Sequence, residues 1–378
     1  MQSKTAAAAV ARLLLIAGAV IVALALPTFR AHAGGCPEHP EAIGTGRTMI
    51  VDPTVLHQVG TEQYAQTLPL RDHEVVLTFD DGPSPLELVN ADDTAAGPLQ
   101  FPQDTAVPEI DWEIERDTLL DLMFDAVKND ATFVFANSIE ALDETETDIS
   151  VTFTDGSQRS FALVFGCDGV HSRVRKLRFG DEKQYTHFLG QYFSITIVDE
   201  LLIKEGTTQI YNEPGKFVML NAYNNKTDIV LCFASEHEIP YDYRDEAQQR
   251  KIISEQFAGQ GWRIPELLDK VEMSTSFYFD KVCQIKMPAW TKGKVALVGD
   301  AGYCASPAAG MGGSLAIIGA AALAGAFHKH RGNVELAFQD YNESFHPYIE
   351  TVQAGAANNL DVLIPKSEDG VPRGSAHP

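Results

Sequence analysis

The chain has 378 residues, with 29 Lys and Arg against 52 Asp and Glu, a formal charge of −23. Hydrophobic residues make up 45% and charged residues 21%, a globular composition that argues against disorder. The acidity argues against nucleic acid, whose phosphates call for clustered Lys and Arg, and against an anionic membrane surface. The length suits two domains, or one large α/β domain with insertions. Residues 91–150 hold 16 acidic and 2 basic residues, which reads as a solvated acidic face. Cys36, Cys167, Cys232, Cys283 and Cys304 are scattered with no Cys-x-x-Cys. Their odd number and spacing fit buried thiols better than a disulfide framework or a metal site.

Residues 1–33 read as a secretory signal peptide. Lys4 and Arg12 precede an apolar run of 14 residues, Leu13 to Leu26, followed by Pro27 and the small-x-small site Ala31-His32-Ala33. A spanning helix needs about 20 apolar residues, so the run fits a cleaved signal. It predicts export to the periplasm or medium, and membrane contact only through this signal. A cytoplasmic location remains the alternative that suits the rest of the chain.

Residues 34–89 carry a different signature. Glu74 to Phe79 is a short buried-strand pattern that ends in Asp80, Asp81, Gly82 and Pro83. This stretch resembles the first motif of the polysaccharide deacetylases. The resemblance implies Asp80 as general base and Asp81 as a ligand to a divalent metal. That family completes its metal site with a His-x-x-x-His pair, and no two of the 11 histidines here are four apart. An exported deacetylase fragment and a non-catalytic fusion product are the alternatives this segment raises.

The character changes after residue 89. Asp117 to Asn129 has apolar positions at 119, 120, 122, 123, 126 and 127, a helical stripe with acidic residues in its first turn. Ala131 to Ala136 reads as a strand. Ile149, Val151 and Phe153 alternate, Asp155-Gly156 makes a turn, and Phe161 to Phe165 returns, which predicts a hairpin. The returning strand runs into Cys167-Asp168-Gly169-Val170-His171-Ser172. Between 185 and 282, strand-like runs at 216–223 and 228–234 predict a sheet. Met273, Phe277, Tyr278 and Phe279 read as core or pocket wall.

Near the C-terminus, Lys294 to Val298 is a continuous apolar strand ending at Gly299-Asp300. A loop through Pro307, Gly310, Met311 and Gly312 leads into a helix from Ser314 to about His328. A carboxylate at a strand's C-terminal end, a Gly-rich loop and a helix N-terminus form a ligand site in α/β sheets. The carboxylate can accept hydrogen bonds from a polyol, and the free amides at the helix start favour negative charge.

The Asp168-Gly169 and Gly299-Asp300 segments, in this order and separation, are similar to the two motifs of the FAD-dependent aromatic hydroxylases, the para-hydroxybenzoate hydroxylase family, which has tetracycline-inactivating relatives. The resemblance covers about residues 90–365. It implies FAD and NAD(P)H as cofactors, a small aromatic or polyketide-like substrate, and no protein nucleophile. It places Gly299 and Asp300 at the ribityl chain, and Pro307, Gly310, Met311 and Gly312 along the isoalloxazine. Asp168 and Gly169 fall near the pyrophosphate, and Arg116 beside the flavin. The family's opening Gly-x-Gly-x-x-Gly turn is not found. Gly44-Thr45-Gly46 has two glycines, but Met49 stands at the third position. The expected consequences are weak or absent FAD binding and an unpaired apolar edge on the parallel sheet.

The expected fold is therefore α/β: an incomplete Rossmann-like FAD-binding domain of the para-hydroxybenzoate hydroxylase type, with a mostly antiparallel substrate-domain sheet. Its expected parts are FAD-binding segments at 90–184 and 283–365, the substrate sheet at 185–282, and a disordered tail at 366–378. A truncated monooxygenase joined near 85–90 to a foreign start is the expected organisation.

Overall fold

A computed structural model describes residues 86–90, 92, 95–98 and 116–364. For 86–88, 95–98, 116–118 and 358–363 only the backbone is described. The signal sequence, Asp80, Asp81, Gly44-Thr45-Gly46 and the tail at 366–378 lie outside the described residues.

The largest sheet has seven strands in the order β11-β7-β10-β9-β8-β1-β2. They are β1 (Leu86–Val89), β2 (Ala95–Pro98), β7 (Thr186–Val198), β8 (Thr207–Glu213), β9 (Lys216–Tyr223), β10 (Lys226–Ala234) and β11 (Phe277–Ile285). All pairs are antiparallel except β1 with β8. Asn224 and Asn225, at φ 45° and 60°, form the two-residue turn between β9 and β10. Both central residues at positive φ match the strands' twist, and asparagine tolerates that conformation.

Alternation along these strands makes two unlike faces. Tyr192, Leu220, Leu231 and Phe233 point to one side and pack with Ile253 and Phe257 of α3 (Glu246–Phe257) and Leu267 of α4 (Ile264–Met273). Each such side chain contributes roughly 1.5–3 kcal/mol by leaving water. Phe193, Ile195, Phe217, Met219, Val230 and Cys232 occupy the opposite face.

A second core surrounds a smaller sheet. Here β6 (Val164–Gly166) pairs in parallel with β13 (Val295–Leu297), which pairs with β12 (Thr291–Lys292). Around them pack α2 (Arg173–Arg178), α5 (Asp300–Tyr303), α6 (Gly312–Lys329) and α7 (Val334–Leu363). Trp290 is buried at its centre, with ring centroids 4.8 Å from Tyr303 and 5.5 Å from Tyr341. A third sheet, β3 (Ile139–Glu144), β4 (Ile149–Phe153) and β5 (Gln158–Phe161), is a meander beside this core.

Three expectations change. The returning strand at 161–165 divides, because β5 closes the hairpin and β6 leaves for the parallel sheet. Residues 86–89 and 95–98 extend the large antiparallel sheet. Ala131 to Ala136 forms no ladder. Phe133, Val134 and Phe135 are 41%, 58% and 76% exposed. Strand-forming residues need a partner strand, and among the described residues none lies beside them. The apolar stripe of α1 (Arg116–Val127) is likewise exposed at Leu120, Leu122 and Phe124. Met273 is exposed as well, so it is neither core nor pocket wall. Phe279, by contrast, is core. In the described parallel sheet β6 stands at an edge.

Candidate active site

Parallel pairing of β6 with β13 brings the two motifs together. Gly166 lies opposite Leu297, and the Val298 amide donates to the Gly166 carbonyl at 2.9 Å. Both strands end at the same level, so Asp168-Gly169 and Gly299-Asp300 emerge side by side. A groove of about 1080 Å³ opens at the other end of these strands, lined by Leu163, Phe165, Lys294, Phe327 and Phe338. Ligands of parallel sheets bind at the C-terminal ends of strands, so that groove is on the wrong side for the motifs.

Gly299 has φ 68° and ψ −147°. Side chains do not adopt this conformation, and a Cβ there would lie 3.2 Å from that of Ala316. The turn puts Asp300, half-buried, at the start of α5. Tyr303 then turns inward, fully buried. Its hydroxyl lies 3.2 Å from that of Tyr341, which donates to the Leu297 carbonyl at 3.1 Å. Burial pushes the Tyr303 hydroxyl well above the usual tyrosine range, so it stays protonated and structural.

The loop continues through a 3-10 turn at Pro307–Ala309, and Gly310 ends it in the left-handed conformation. Met311 precedes the first turn of α6. Side chains added at Gly312 or Gly313 would meet nothing within 4 Å. These first amides have no helical partner, and the helix dipole favours an anion there. Ala308 packs on the small cluster of Phe193 and Val282 on the large sheet. The loop therefore sits over the sheet's second face. Ile364, just past α7, packs on that face at Ile210 and Phe217.

Asp168 accepts hydrogen bonds from the Ser172 hydroxyl at 2.5 Å and the Val174 amide at 3.0 Å. Both oxygens are engaged, one by the hydroxyl of Ser172, the N-cap of α2, and the other by an amide of that helix's first turn. Gly169 follows at φ 76°. Arg116 is the first residue of α1. The structure brings Asp168, Gly169, Gly299, Asp300 and the Pro307–Gly312 loop to one end of the parallel sheet.

Two groups here carry no sequence motif of their own. Arg175, fully buried, donates to the Ala301 carbonyl at 2.8 Å and to the Val170 carbonyl at 2.5 Å. It stitches one motif to the other. His171 bonds Asp280 at 3.0 Å through Nε2 and Glu182 at 3.2 Å through Nδ1. Burial opposes its charge, but the bonds to Asp280 and Glu182 outweigh that and raise its pKa to about 9. It is an imidazolium donating from both nitrogens at neutral pH. Burial works against both carboxylates too, yet His171 holds each below the usual range. Asp280 also accepts from Tyr241 at 2.5 Å and Tyr278 at 3.1 Å. Asp280, on β11, thus fixes the Asp-Gly turn to the large sheet. A composition-level signal existed for this pair, a histidine just after Asp-Gly and an acid within a strand, but nothing local joins them.

Comparison with known proteins agrees with this geometry. A family model described as an FAD binding domain matches residues 39–352. The chain belongs to that FAD-binding family. The match begins inside the segment that resembles a deacetylase. An uncharacterized protein of Mycobacterium tuberculosis is 35% identical over 261 residues, 68% of this chain and 70% of that one. A flavin-dependent monooxygenase of Legionella longbeachae is 33% identical over 64% of this chain, which spans 62% of its length. The tetracycline destructase Tet(51) superposes with a TM-score of 0.65 and 30% identity, covering 75% of this chain and 74% of its own. The family is that of the FAD-dependent monooxygenases, and the mixed α/β fold is shared with flavoproteins such as salicylate hydroxylase.

Proposed function

We propose that this chain is an NAD(P)H-using monooxygenase that hydroxylates an aromatic or polyketide-like small molecule on the second face of the large sheet. One observation carries the reading: two parallel strands deliver Asp168-Gly169 and Gly299-Asp300 to one edge, and the Pro307–Gly312 loop lies above an apolar sheet face. The residues fit the flavin end of FAD. Asp300 would accept from ribityl hydroxyls, and the amides opening α6 would face the electron-rich pyrimidine edge. Gly312 and Gly313 leave that approach open. Arg116, Asp168 and Gly169 would line the remainder.

Bound FAD supplies the redox chemistry and the oxygen transfer. The chain's own residues position and exclude. Phe193, Ile195, Met219 and Val230 offer an apolar floor for a flat substrate. Ala308 and Ile364 close on that floor from two sides and limit water. NAD(P)H would reach the site past Gly169.

We also infer that the protein lacks the first β-α-β unit of its family and joins a foreign start near residues 85–90. Among the described residues β6 stands at an edge and the apolar run at 133–135 is exposed, which supports this reading. FAD is then held by one end, and the purified protein needs added FAD. The signal sequence supports export. The test is a band near ~450 nm on FAD addition, bleached by NADPH or NADH. Protein that stays colourless with excess FAD rules out a working flavoenzyme.

A further inference from the structure

Gln284 on β11 and Gln353 on α7 are buried carboxamides whose donors all point at one place. Gln353 Nε2 donates to the Ile285 carbonyl at 2.8 Å and to the Cys304 carbonyl at 3.0 Å. Gln284 Nε2 donates to the Ala305 carbonyl at 3.2 Å and to the Gln353 carbonyl at 2.6 Å. The Ile285 amide adds a bond to the Cys304 carbonyl at 3.0 Å. Each carboxamide has two N–H donors, and all four are spent within this knot. Two of its four bonds, one from each carboxamide, go to the Cys304 and Ala305 carbonyls just before Ser306, and the other two tie β11 to α7.

The knot has the features of a built device. Three elements distant in sequence meet in it, β11, α7 and the loop after α5. Gln284 Oε1 is buried and has no partner, an arrangement a core tolerates only where the remaining bonds hold the amide firmly. Ser306 sits at φ 86°, and a non-glycine residue keeps such a conformation only when its surroundings impose it. Fixing the carbonyls of Cys304 and Ala305 imposes it.

We propose that Gln353, with Gln284, is a positioning residue for the cofactor loop: the C-terminal helix sets where Pro307–Gly312 lies over the sheet. This rests on the reading of that loop as the flavin site. Gln353 acts through the loop backbone and touches neither cofactor nor substrate.

The decisive experiment is hydrogen exchange on the apo-protein, followed by FAD titration. Gln353→Met keeps the shape and removes both donors. Exchange across residues 300–313 should rise by about tenfold, and FAD affinity should fall by about tenfold, since two buried bonds are lost. Phe257→Leu, on the far face of the sheet, destabilises the fold and should leave both quantities at the wild-type value. If Gln353→Met does not fold, Gln284→Met, which removes the donor to the Ala305 carbonyl, should raise exchange across the same residues. Unchanged exchange at 300–313, equal loosening by Phe257→Leu, or loss of protection spread over β9 and β10 overturns the proposal. Wild-type protein that takes up no FAD contradicts the proposed function alone, because exchange is read without cofactor.

Discussion

Arg175 donates to the carbonyl of Ala301 at 2.8 Å across the gap between the two motifs. A guanidinium at zero exposure, also bonded to Val170, holds the Asp-Gly turn against the Gly-Asp loop. Arg175→Met should therefore lower stability by about 2–4 kcal/mol, since two carbonyls lose their donor inside the core. FAD affinity should fall with it. Urea unfolding and FAD titration check this. Wild-type stability in Arg175→Met would show that the carbonyls find other partners.

Gly319 makes a second contact with a definite sign. A methyl at this position would overlap the Tyr303 hydroxyl oxygen and lie 2.7 Å from the ring carbon that bears it. Alanine normally stabilises a helix interior by about 0.5–1 kcal/mol over glycine. Here the overlap reverses that, and Gly319→Ala should cost about 1–3 kcal/mol, as overpacking does. Tyr303→Phe removes the nearest atom and should recover part of the loss in the double variant. Thermal melts of the four proteins read the coupling, and strictly additive effects would contradict the contact.

The His171 clamp makes stability depend on pH in a predictable direction. Its folded pKa, about 9, exceeds the ordinary 6.5. The stabilisation is full below pH 6.5 and is lost as pH rises through 9, by about 2–3 kcal/mol. Asp280 and Glu182 have lowered values, so their contribution is present above the ordinary carboxylate range and lost on acidification. Urea midpoints should stay level between those limits and fall from pH 7 to 10. In His171→Gln the alkaline fall should flatten. An equally steep fall in the variant would show that another group titrates there.

The exported form, if processed, begins at Gly34. Expression in a bacterium with the leader intact, followed by N-terminal sequencing of the periplasmic fraction, should return Gly34-Gly35-Cys36. Recovery of the full-length chain in the cytosol would overturn the export reading.

Local pattern carried much of this fold. The run at 216–223 matches β9 residue for residue, and 228–234 falls within β10, because alternation and turn residues are short-range signals. The Gly299-to-helix unit was legible for the same reason. What escaped depends on distance. Arg175 and Ala301 are 126 residues apart, and His171 and Asp280 are 109 apart. No spacing rule links such partners. Ala131 to Ala136 failed in the opposite way: its residues favour a strand, but ladders require a neighbour. Residues 161–165 form one apolar run in sequence, and its split into β5 and β6 is decided by two different sheets.

Asp300 and the loop after it are the proposed place where FAD is held. Titration of the purified protein with FAD, followed by flavin fluorescence, measures this directly in wild type and Asp300→Ala. The account predicts saturable binding by wild type and at least about a tenfold loss in the variant, the effect of removing one charged acceptor from a buried set of hydroxyl contacts. Equal affinity in the two proteins would contradict it.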